Sequence, residues 1–95
     1  MIVVTSTLWL WSGDSASWHF LTVPEEEGPE IRAHSLVSRG GFGSVKVEAR
    51  IGDVAWRTSV FPQKSGGYLL PVKAAVRREA EIAAGDEVTV ELDLL

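Results

Sequence analysis

One order of segments occurs twice along this chain: a strand, a loop, a second strand that reaches a proline, a short helix, a turn and a third strand. Pro24 and Pro71 are as far apart as Trp9 and Trp56, and each tryptophan lies on the strand before its proline-ended strand. A unit too small to bury its own apolar face can bury it against a second copy. The repeat therefore predicts a mostly β, pseudo-twofold barrel of six strands with two short helices. The alternative is that the two halves share this order of strands and helix by coincidence and are not copies of one unit.

The length leaves room for one core. A chain of 95 residues buries enough surface for a single domain and not for two. We therefore expect one domain over residues 1–95, with the two repeats covering about 1–51 and 52–95.

Alternating apolar and polar residues predict the strands. Every second residue is apolar from Val45 to Ile51, and the same holds from Val88 to Leu94. Because successive side chains of a strand point to opposite faces, this period places one face in the core and the other in solvent. Further strands are predicted at residues 2–11, 18–23, 54–61 and 68–72.

Two helices are predicted, near residues 25–36 and near residues 72–83. The first follows Pro24, where three glutamates favour the positive end of the helix dipole, and a Gly-Pro pair is expected to interrupt it. The second has an apolar stripe at helical spacing, and Gly85 is expected to close it.

Composition limits the function. Nine lysines and arginines against thirteen acidic residues give a net charge of −4, so the chain as a whole does not attract nucleic-acid phosphates. The absence of cysteine excludes disulfides and thiolate metal sites. The apolar runs are shorter than the ~20 residues of a membrane helix, and the N-terminus lacks the basic start of a signal peptide. A cytoplasmic protein is expected.

Several motifs together resemble a known family. They are LWLWSG and WHFLTVPEE in the first half, then GSVKVEARIG, WRTSVFP, GGYLLPVKAAVRR and AAGDEVTVEL. These segments cover almost the whole chain and resemble the bacterial family of unknown function DUF1905. The resemblance implies a double-split β-barrel, related to swapped-hairpin proteins of the AbrB and MazE kind, in which two short chains each supply one such unit. It implies no activity. Because both units lie in one chain here, we expect a monomer or a weak homodimer.

The leading functional hypothesis is a non-catalytic barrel or accessory module that binds a small anionic or aromatic ligand. Four tryptophans are many for so small a core, so some of them could line a pocket. We expect Trp11 and Trp18 to stack on the ligand. Arg39 and Arg57 are expected to pair with its anionic group, and Tyr68 to donate a hydrogen bond.

Plainer interpretations exist for the same residue types. Taken singly, Trp9, Trp18 and Trp56 are each expected more readily as core residues than as ligand contacts, and the arginines as partners in surface ion pairs. Lys64 lies in FPQKSGGY, where glycine amides beside a lysine could form an anion-binding nest. A hairpin loop with a solvated lysine is the alternative there.

Two other classes of function stay open. A protein-interaction or structural module would have a filled barrel with an exposed apolar patch, and an AbrB-like nucleic-acid binder would need one contiguous positive face. A small-molecule binder instead needs an apolar cavity with a few converging polar groups. Catalysis, a bound metal and a cofactor are not expected, because His19 and His34 lie on different predicted elements and no nucleophile or metal-ligand motif occurs.

Overall fold

The computed structural model describes residues 1–37 and 43–95. The strands are β1 (Ile2–Thr7), β2 (Trp9–Ser12), β3 (Ser17–Val23), β4 (Val45–Ile51), β5 (Val54–Pro62), β6 (Tyr68–Pro71) and β7 (Glu87–Leu94). The helices are α1 (Gly28–Val37), which follows a 3₁₀ turn (Glu25–Glu27), and α2 (Ala74–Ala80). The prediction of a mostly β chain with two short helices is confirmed, but the described residues form seven strands instead of six. Within these ranges, neither helix has the length and apolar character needed to cross a membrane.

The seventh strand arises from a bend at Leu8. The sequence predicts one strand over residues 2–11, but the chain changes partners at Leu8: β1 pairs with β7, and β2 pairs with β3. The Leu8 N–H donates to the Asp86 carbonyl at 2.9 Å, and the Leu8 carbonyl accepts from the Gly85 N–H at 2.8 Å. Alternation along the segment does not reveal the bend, because the Leu8 side chain keeps its place in the core.

The strand pairs are antiparallel, and the strand order is β1-β7-β4-β5-β6-β3-β2. β5 joins the two halves of this order, because its residues from Val54 to Val60 pair with β4 while Phe61 and Pro62 pair with β6. The strands at the two ends of the order follow each other in the chain, so the sheet curls and its ends meet near Leu8. The double-split barrel and the internal duplication stay predictions.

The core fills the inner face of the curled sheet. Its members are apolar side chains from the strands, together with Ile31 of α1 and Val76 of α2. The central strands β4 and β7 bury the residues that alternation predicts: Val45, Val47, Ala49, Val88, Val90 and Leu92. Burying a valine or leucine side chain of this kind stabilises the fold by about 1.5–3 kcal/mol, so the inner faces of β4 and β7 contribute much of the stability of the fold.

The ends of the two helices differ from the expectation. Gly28 and Pro29 do not interrupt the first helix; they are the first two residues of α1, where proline's missing N–H costs no intrahelical hydrogen bond. α2 ends where Glu81 adopts a left-handed conformation, with φ 56° and ψ 48°. The expectation that Gly85 closes this helix is wrong, because Gly85 lies in the turn before β7 and donates to Leu8.

Candidate functional site

The hairpin of β2 and β3 carries aromatic side chains on one face. Trp11 lies opposite Trp18 in the strand register, and Trp9 lies opposite Phe20. With nearby side chains of β5 and β6 these rings line a shallow groove of about 410 Å³, which we call the aromatic surface: Trp9, Trp11, Trp18, Phe20, Phe61, Leu69 and Pro71. The exposed fractions of Trp11 and Trp18 are 46% and 53%, so this surface faces solvent.

Local contacts fix the orientation of these rings. The Trp9 indole Nε1 donates to the Thr22 hydroxyl at 3.0 Å, and the Trp9 ring contacts the Phe20 ring at 5.4 Å between centroids. The Trp18 ring is nearly parallel to Phe20, with an interplanar angle of 7° and a centroid distance of 6.3 Å. The Trp11 indole lies against Gly13: a Cβ there would be 2.6 Å from Cη2 of Trp11, so a side chain at this position would displace the ring. The aromatic surface is therefore preorganised.

A second groove, the cationic groove, lies beside the aromatic surface. It has a volume of about 420 Å³ and is bounded by the start of β3, the middle of β5 and the segment that leads from β6 into α2. Its charged side chains are Arg57, Lys73 and Arg77, and no aspartate or glutamate is among the described residues that line it. Three cations without a lining carboxylate create a local positive potential on a chain of net charge −4.

Arg77 is held in place inside the cationic groove. Its Nε donates to the Val72 carbonyl at 3.1 Å, and Nη1 lies 3.4 Å from Nε2 of His19. The Val72 N–H in turn donates to the His19 carbonyl at 2.9 Å, so this segment is tied to β3. Because arginine only donates, His19 accepts through an unprotonated Nε2. Partial burial lowers the pKa of His19, and the positive charge of Arg77 lowers it further, which keeps the imidazole neutral at pH 7.

The two grooves share two lining residues, Trp18 and Pro71. Trp56 contributes to the cationic groove from the core side, where its ring is 8% exposed. An apolar groove and a positively charged groove therefore border each other at Trp18 and Pro71.

The structure brings together only part of the predicted site. Trp11 and Trp18 lie on the aromatic surface, and Arg57 lies in the cationic groove beside Trp18. The favoured interpretation of Trp18 as a core residue is wrong, since half of its surface is exposed, whereas Trp56 is buried as expected. Arg39 lies outside the described residues.

Tyr68 and Lys64 line neither groove. Tyr68 belongs to the core with an exposed fraction of 2%, so its ring serves packing. Lys64 is exposed in the loop between β5 and β6. In that loop the Gly66 N–H already donates to the Gln63 carbonyl at 3.0 Å, and the Glu25 side chain lies close to Gly66. These contacts make the loop around Lys64 unfavourable for an anion.

Sequence reasoning missed Lys73, Arg77 and His19 as neighbours. The available signal was the spacing of Lys73 and Arg77, because residues four apart lie on the same side of a helix. Their position directly after Pro71, next to the strand that carries His19, depends on the pairing of β3 with β6. That long-range pairing is not readable from a local pattern.

The part of the chain that the structure describes contains no cluster of metal-ligating side chains. No group of three or more His, Asp or Glu side chains is close enough there to hold an ion. The grooves offer cations and aromatic rings instead, which suit an anionic or planar ligand.

The chain belongs to a family of small domains without an assigned activity. Residues 5–92 match the family described as domain of unknown function (DUF1905), so the match covers nearly the whole chain and shows its membership. No curated protein matches the chain significantly. The two grooves are therefore the features of this chain that bear on its function.

Proposed function

We propose that this domain is a binding module that takes a small anionic molecule into the cationic groove. The observation that carries the proposal is the convergence of Arg57, Lys73 and Arg77 on one groove that no described carboxylate lines. Holding three positive charges together is unfavourable until an anion neutralises them. Arginine forks and a lysine ammonium are also the side chains that bind carboxylates and phosphates best.

The size and rigidity of the groove support a small ligand. A volume of about 420 Å³ lies within the range of roughly 300–1,000 Å³ that is usual for small-molecule sites. Arg77 is preorganised by the Val72 carbonyl and by His19, so less side-chain freedom is lost when an anion binds.

Titration of the purified protein with inorganic phosphate, followed by isothermal calorimetry at low ionic strength, tests the proposal. We expect saturable binding that weakens by up to about fivefold in each of Arg57→Gln and Lys73→Gln, since a partly exposed charge pair contributes up to about 1 kcal/mol. Lys46→Gln is the matched control, because Lys46 is an exposed lysine of β4 that lines neither groove. Absence of saturable binding, or an equal loss in Lys46→Gln, contradicts the proposal.

A substitution that removes a negative charge near Arg57 should strengthen phosphate binding and so complements the two arginine and lysine variants. Glu48 lies directly opposite Arg57 across the pairing of β4 with β5, on the same face of the sheet, so its negative charge lowers the positive potential near the guanidinium. Glu48→Gln is therefore expected to strengthen phosphate binding. If the affinity falls instead, Arg57 does not act as an anion partner.

A weak homodimer through the aromatic surface is the second candidate. The observation that favours it is the exposure of two tryptophans and of Phe61, at 46%, on one continuous apolar face. Sedimentation equilibrium of the wild type and of Trp11→Ser tests this candidate. A concentration-dependent dimer that the substitution weakens supports it, and a monomer at all concentrations rules it out.

Weaker observations bear on the fold class, on nucleic-acid binding and on the location of the protein. The strand order, in which strands of each half pair with strands of the other half, supports the double-split class and its relation to AbrB and MazE. Nucleic-acid binding of the AbrB kind is disfavoured by the net charge of −4, although the cationic groove supplies one local positive face. A cytoplasmic location agrees with a chain that has no cysteine.

A further inference from the structure

We infer that the ligand joins a planar aromatic ring to a phosphate, as a nucleoside monophosphate does, with the ring on Trp18 of the aromatic surface and the phosphate in the cationic groove. This inference rests on the proposed function and makes its ligand class specific.

Trp18 places the ring-binding and phosphate-binding parts side by side. The residue lines both grooves, and its ring is supported from behind by the nearly parallel Phe20. Half of the Trp18 surface remains open to solvent. A tryptophan that is supported on one side and free elsewhere offers a flat face on which a heterocycle stacks with little loss of side-chain freedom.

The charge in the neighbouring groove favours phosphate over carboxylate. A phosphate monoester carries a charge between about −1.5 and −2 at pH 7 and has three acceptor oxygens, whereas a carboxylate has one charge and two oxygens. Arg57, Lys73 and Arg77 supply three positive charges. Two of the five N–H groups of Arg77 donate to the Val72 carbonyl and to His19. The other three make no hydrogen bond to a described residue and can donate to an anion.

The same features favour a free mononucleotide over a strand of nucleic acid. The cations of the groove are confined to one depression at the turn end of the β2–β3 hairpin, so they offer no extended positive track for a continuous backbone. Outside the groove, the net charge of −4 repels further phosphates.

Calorimetric titrations with three probes test the inference: inorganic phosphate, adenosine and adenosine monophosphate. We expect the monophosphate to bind at least tenfold more tightly than either fragment, because one molecule then makes both sets of contacts. Because Trp18 also borders the cationic groove, Trp18→Ala is expected to weaken binding of the monophosphate much more than binding of phosphate, so that most of the advantage of the monophosphate is lost. Trp18→Phe keeps a stacking face and is expected to retain most of the advantage.

Two controls make the result specific. Leu36→Ala removes an exposed apolar side chain of α1 that lines neither groove and is expected to change nothing. Melting curves of each variant establish that the fold is retained, which we expect for Trp18→Ala because the ring is half exposed.

Each remaining outcome decides between the inference and the proposed function. If phosphate and the monophosphate bind equally well and both depend on Arg57, the inference is wrong and the proposed function stands. If no probe binds, both fail. If a short single-stranded oligonucleotide binds tenfold more tightly than the monophosphate, the free mononucleotide is overturned as the ligand.

Discussion

Nη1 of Arg77 lies 3.4 Å from Nε2 of His19, and this contact joins α2 to β3 inside the cationic groove. The guanidinium can donate only to an unprotonated imidazole, so the contact and the charge state of His19 depend on each other. Protonation of His19 would place a second positive charge next to Arg77. The stability of the domain must therefore respond to pH through this pair.

The first prediction concerns the pH dependence of stability. The pKa of His19 is lowered from 6.5 by burial and by Arg77, so in acid the unfolded chain takes up the proton before the folded protein does. The free energy of unfolding of the wild type should therefore fall, relative to His19→Gln, as the pH decreases from 6.5 toward the lowered pKa, and stay level above 6.5. Urea denaturation of both proteins between about pH 5 and pH 8 measures this difference. A difference independent of pH would show that the pKa is not lowered.

The second prediction separates a core tryptophan from a surface one. Trp56→Ala removes a ring that is 8% exposed and should decrease the free energy of unfolding by about 3–5 kcal/mol. Trp18→Ala removes a ring that is 53% exposed and should decrease it by about 1 kcal/mol or less. Chemical denaturation of the two variants gives both values. Equal losses would mean that Trp18 is packed inside the domain.

The third prediction concerns the close approach of two chain segments. A methyl group on Gly67 would collide with the Val23 carbonyl oxygen and lie 3.3 Å from the Glu25 nitrogen, and neither backbone atom can move aside easily. We expect Gly67→Ala to destabilise the fold by about 2–3 kcal/mol. Gly52→Ala is the control, because no atom lies within 4 Å of its Cβ position and only its φ of +58° is strained. The free energy of unfolding of the control should fall by about 1–2 kcal/mol, and urea denaturation of both variants measures the two losses. A smaller loss for Gly67 than for Gly52 would exclude the tight contact.

The sequence predicts the parts of the fold that local periodicity determines. Alternation identifies β4 and β7 together with their buried faces, because both strands have one apolar side and one polar side. The same local pattern predicts a continuous first strand. It cannot show that the chain bends at Leu8, since the bend follows from hydrogen bonds to Gly85 and Asp86 far along the chain.

The candidate site is less predictable for a related reason. Trp18 and Trp56 are the same residue type on predicted strands, yet one is exposed and the other is buried. The difference depends on which face of each strand turns toward the core, and a short hairpin strand without clear alternation does not reveal that. Lys73 and Arg77 line the same groove as Arg57 only because β3 pairs with β6 and β6 with β5.

An NMR titration of ¹⁵N-labelled protein with inorganic phosphate shows whether an anion binds between Arg57, Lys73 and Arg77. We expect saturable shifts of the Trp18 indole and of the amides of His19, Lys73 and neighbouring groove residues, and no comparable shifts in the loop between β5 and β6. Shifts centred on that loop, or no saturable shift anywhere, would mean that the cationic groove does not bind the anion.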